Sequence, residues 1–139
     1  MRTASAAIAS FCLGLALFGI CPTAEAQTIF GSGTLALKNG ETLEVGQLYW
    51  VSPQCRSLLK SIPQAEILDG PPGVSVTVKE AMVLPRRQNC ASKISGGLLM
   101  ISAKDIEDES YTKLTIRITY NTRDGERKFS EVLNLSLMP

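Results

Sequence analysis

Leu114, Ile116, Ile118 and Tyr120 alternate with Lys113, Thr115, Arg117 and Thr119, a period of two that suits a strand with one buried and one wet face and does not suit a helix. Val74, Val76 and Val78 repeat the pattern against Ser75, Thr77 and Lys79, directly after the chain breaker Asp69-Gly70-Pro71-Pro72-Gly73. From Gln27 onward no stretch sustains apolar residues at helical spacing for three turns. Residues 27–139 therefore predict an all-β domain. About seven short strands separated by turn signals fit an antiparallel β-sandwich with Greek-key connections better than a ligand-enclosing barrel.

Strand register is also open to prediction. Asp124-Gly125 is a preferred two-residue turn and would set Arg123 opposite Glu126. Tyr120 then faces Phe129, Ile116 faces Leu133 and Leu114 faces Leu135, all on one face. Ile118 opposite Glu131 is the exception, absorbed by a bulge or by an edge-facing Glu131. A two-residue turn at Asn39-Gly40 would turn Leu35 and Leu37 away from Leu43 and Val45. Either a three-residue loop or a crossing between two sheets removes that conflict. Residues 48–51, with Tyr49 and Trp50, and residues 94–106, with Gly96-Gly97, read as interrupted strands. Residues 56–61 suggest a short helical turn before Pro63.

Before this domain, Met1 and Arg2 precede an uncharged apolar run over residues 6–20, broken by Pro22 and Glu25. The run is shorter than the roughly 20 residues that span a membrane. Ala24-Glu25-Ala26 meets the small-x-small rule of signal peptidase, so residues 1–26 are expected to be a cleaved signal peptide, leaving no stable membrane anchor. Ile20 before Cys21 is too large for a lipobox. Cleavage removes Cys12 and Cys21 and leaves Cys55 and Cys90, which an oxidising compartment would join in one structural disulfide. The expected location is periplasmic or secreted.

Trp50, Cys55, Gly70-Pro71-Pro72, Cys90, Gly96-Gly97 and the turn Tyr120-Asn121-Thr122-x-Asp124-Gly125 resemble small exported bacterial Ig-like proteins. The resemblance spans the mature chain, implies an Ig-like sandwich outside the cytoplasm, and brings no activity with it. In a true Ig domain the tryptophan lies between the bridge cysteines, whereas Trp50 precedes both, so the usual B-to-F bridge is not carried over.

The chain of 139 residues has no histidine, which excludes Ser-His-Asp and Cys-His catalysis and imidazole zinc sites. Fourteen Lys and Arg against 13 Asp and Glu leave a net charge of +1, without the basic signature of nucleic-acid binding. There is no cofactor motif and no calcium-loop pattern. Glu107, Asp108 and Glu109 read as a solvated turn, and Ser57 with Lys60 as a chance Ser-x-x-Lys. Asn134-Leu135-Ser136 is a sequon inside a predicted strand. Trp50 reads as core packing rather than as a ligand anchor. Arg56, Arg86 and Arg87 flank the expected bridge and would form an anion- or partner-binding corner if their guanidiniums converged. The function expected is that of a non-enzymatic exported binding or structural module with a protein partner. Alternatives are an inhibitor of an envelope or host hydrolase, presenting Pro71-Pro72 or Arg86-Arg87, and a binder of a small anion at the arginine corner.

Overall fold

The computed structural model describes residues 25–26 and 33–139. In chain order the strands are β1 (Glu25–Ala26), β2 (Thr34–Lys38), β3 (Thr42–Leu48), β4 (Trp50–Val51), β5 (Gln64–Asp69), β6 (Val74–Val83), β7 (Ile94–Ala103), β8 (Ser110–Thr122) and β9 (Gly125–Met138). A 3-10 turn, Arg86–Gln88, is the helical element among the described residues. The expected signal segment lies outside the described residues except for β1, which pairs antiparallel with β4.

Seven strands form two sheets, ordered β2-β9-β8-β5 and β3-β7-β6, and the short β1–β4 pair stands apart. With the Ig letters, β3, β7 and β6 take the B-E-D order and β5, β8 and β9 the C-F-G order, so the all-β, Ig-like two-sheet sandwich is the architecture observed. β2 joins β9 in parallel, Thr34 beside Asn134 through Lys38 beside Met138, and is the exception to the antiparallel pairing. Because β2 belongs to one sheet and β3 to the other, the chain crosses between sheets at Asn39-Gly40. This crossing turns Leu37 and Val45 into the same core. Gly40 takes the turn at φ +80°, a conformation that glycine reaches without strain.

The alternation predicted for β8 holds residue by residue: Leu114, Ile116, Ile118 and Tyr120 are buried against Leu133, Leu135 and Leu137 of β9 and Leu99 and Ile101 of β7. The hairpin register, however, differs from the predicted one by two residues. Thr122 pairs with Gly125, so Arg123 and Asp124 make the turn; Tyr120 lies opposite Arg127, Ile118 opposite Phe129 and Leu114 opposite Leu133. The cause is the Thr122 hydroxyl, which accepts a bond from the Asp124 N–H at 3.2 Å and donates to the Gly125 carbonyl at 2.7 Å, closing the turn one residue earlier. A shift of two preserves the face of every side chain. Glu131 consequently opposes Ile116 rather than Ile118, with the ladder unbroken on both sides of it.

Residues 56–61 are extended rather than helical. Leu58 N–H donates to Trp50 O, Lys60 N–H to Asn121 O, and Ser57 and Leu59 bridge Val51 and Thr122. β7 runs unbroken through Gly96-Gly97, and β5 is a strand that the sequence reading missed, Ala65 and Ile67 being its only half-buried side chains.

Candidate functional site

The two cysteines lie at one end of the sandwich, Cys55 between β4 and β5 and Cys90 between the 3-10 turn and β7. They form the expected disulfide, with Cα atoms 5.7 Å apart. The bridge closes a satellite cluster of Tyr49, Val51, Val83, Cys90 and Ile94 below the main core. Cys55 adopts φ +61° in a tight turn in which its N–H donates to Ser52 O at 2.9 Å and the Ser52 hydroxyl accepts from Arg56 N–H at 3.2 Å.

Arg56 and Arg86 are brought to this end by the bridge, and Arg87 follows in the 3-10 turn. Both Arg56 and Arg86 are exposed, and neither takes an ion-pair partner among the described residues. Shallow grooves of about 250, 220 and 160 Å³ open at Thr34, Tyr111 and Asn134, at Pro71, Pro72 and Asp108, and at Lys60, Ser95 and Gly96; neither arginine lines them. Glu107, Asp108 and Glu109 are exposed, in keeping with a solvated turn. The Ser57 hydroxyl donates to Ser95 O at 3.3 Å.

A different arrangement forms at the edge of the larger sheet. β9 is flanked by β8 over nearly its whole length, whereas β2 covers it only from Asn134 to Met138. Over residues 125–133 the second edge of β9 has no strand partner among the described residues. An edge of this kind presents a row of backbone donors and acceptors to an incoming strand. The chain enters β2 through a bend at Gly33.

The side chains along this edge divide by face. Glu126 and Lys128 point outward and pair with each other at 3.1 Å. Phe129, on the inward face, packs its ring 5.9 Å from Tyr120 and 6.0 Å from Trp50, and Trp50 lies 5.4 Å from Tyr120. Tyr120 is 2% exposed, while Phe129 is 44% exposed and Trp50 half-buried, so the cluster runs from the core out to solvent. The reading of Trp50 as core packing thus holds for only part of its surface. By strand alternation, Arg127 and Glu131 flank Phe129 on the same face. Burial pushes the Tyr120 phenol well above the ordinary tyrosine range, and the Glu131 carboxylate and Tyr49 push it further. The phenol is neutral at physiological pH, and its ring packs against Trp50 and Phe129.

The sequence reading placed Tyr120 and Phe129 together through the hairpin, but it did not assemble this edge. The signal was the exposed apolar Phe129 and Val132 among charges, and its meaning depends on where β2 stops. No protein-family model matches the chain, and no curated protein matches it in sequence.

Proposed function

We propose that the chain is a non-enzymatic binding module that works outside the reducing cytoplasm and takes a protein partner along the β9 edge. The observation that carries this reading is the coincidence, over residues 125–133, of a strand edge without a partner among the described residues and the half-exposed Trp50 and Phe129 rings. Backbone pairing supplies affinity in strand addition, and the side chains beside it supply selection. Charges at Glu126, Arg127, Lys128 and Glu131 oppose indiscriminate edge pairing and favour a partner of matching charge pattern. The disulfide Cys55–Cys90 is consistent with an oxidising, exported location, periplasmic or secreted. The resemblance to small exported Ig-like proteins agrees with the same reading.

The test is a photo-activated cross-linker placed at Lys128, and separately at the exposed Thr77 of β6, in the cells that make the protein. Adducts with protein are expected at Lys128 and not at Thr77. Equal labelling at both positions, or no protein adduct at Lys128, would refute a binding role for this edge.

A further inference from the structure

We infer that the occupant of the β9 edge is a second copy of this chain, docked antiparallel with Phe129 on the two-fold axis. The inference rests on the reading of that edge as a protein-binding surface, and adds to it the partner and the register.

A two-fold axis that sets two antiparallel strands side by side in one continuous sheet stands perpendicular to the sheet. Opposed residues then share a face, so the axis passes through one residue position. The stretch without a strand partner among the described residues, 125–133, is centred on Phe129. With the axis there, Gly125 opposes Leu133, and the incoming strand ends where β2 begins beside Asn134. The second copy pairs with residues 125–133 without displacing β2.

The same centre satisfies the charges. Arg127 faces Glu131 of the second copy, and Glu131 faces its Arg127, while the two Phe129 rings meet on the axis. Glu126 opposes Val132, and Lys128 opposes Ser130 while retaining its ion pair with Glu126 of its own strand. Neighbouring centres lose this match. An axis at Lys128 sets the two lysines against each other, and one at Ser130 puts Phe129 opposite Glu131. Axes at Arg127 or Glu131 oppose like charges directly. Glu131 has no ion-pair partner within its own chain among the described residues, so its carboxylate is available for an arginine of the second copy.

Sedimentation of the purified protein tests the inference, with circular dichroism confirming that each variant is folded. The wild type is expected to form a dimer, and Arg127→Glu and Glu131→Arg, each alone, to raise its dissociation constant about tenfold or more by opposing like charges. Mixing the two variants restores association, because each then supplies the charge that the other needs at both positions. Independently, Phe129→Cys is expected to give a disulfide-linked dimer on oxidation and Ser130→Cys not to do so. A wild type that stays monomeric into the millimolar range, a mixture no tighter than its components, or equal cross-linking at positions 129 and 130 would overturn the inference. If the wild type is monomeric while the cross-linker at Lys128 captures a different protein, the binding role stands and self-pairing falls; if it captures none, both fall.

Discussion

Tyr120→Ala is expected to destabilise the fold by about 3–5 kcal/mol, the range for truncating a buried aromatic side chain. Tyr120 is 2% exposed and packs between Trp50 and Phe129, so its removal leaves a cavity where β8 meets the inner face of β9. Phe129→Ala serves as the comparison. That ring is 44% exposed, so much of its apolar area is in water already, and the expected cost is only about 1 kcal/mol. Urea unfolding of both variants against the parent measures the contrast. Equal losses would mean that Phe129 is ordinary core; a large difference means that its ring contributes little to the fold and is available for recognition.

The double variant Cys55→Ala/Cys90→Ala is expected to lose about 4 kcal/mol, the chain-entropy value for a closed loop of this length. The bridge spans a sequence separation of 35 and encloses β5 and β6, so without it the unfolded chain regains the freedom of two strands and their connections. A local effect adds to the global one. Cys90 is 7% exposed and belongs to the cluster with Tyr49, Val51, Val83 and Ile94, so alanine also removes packing there. Typical domains hold about 5–15 kcal/mol in total, which makes this loss a large share. Thermal unfolding of the variant beside the oxidised parent checks it. Coincident transitions would show that the bridge does not restrain the chain.

How much of this was legible in the sequence differs from element to element. The faces of residues 113–120 of β8 were readable because a sheet packed on one side enforces a period of two, and the bridge was readable because the expected cleavage would leave two cysteines. The hairpin register was not readable, because Asp124-Gly125 looks like the turn pair, while the Thr122 hydroxyl, bonded to Asp124 N–H and Gly125 O, sets the turn at Arg123-Asp124. The Asn39-Gly40 crossing was one of two solutions that the side-chain pattern allowed, and the parallel β2–β9 pair that it produces depends on long-range contacts. β5 escaped because it buries little and gives a weak alternation. The proposed arginine corner followed from proximity to Cys55 and Cys90 in sequence, and the fold leaves Arg56 and Arg86 exposed without a shared partner among the described residues. The β9 edge was invisible from β9 itself, since nothing in residues 125–133 states that β2 begins beside Asn134.

Amide hydrogen exchange along β9, followed by NMR on the purified protein at a dilution where it is monomeric, addresses that edge most directly. Successive N–H groups of a strand point to opposite sides. Every other amide over residues 125–133 should therefore exchange fast, its intervening neighbours being protected by β8, while residues 134–137 are protected throughout between β8 and β2. Uniform protection across residues 125–133 in the monomer would mean that the chain already covers this edge, contradicting its assignment as the surface that meets a partner.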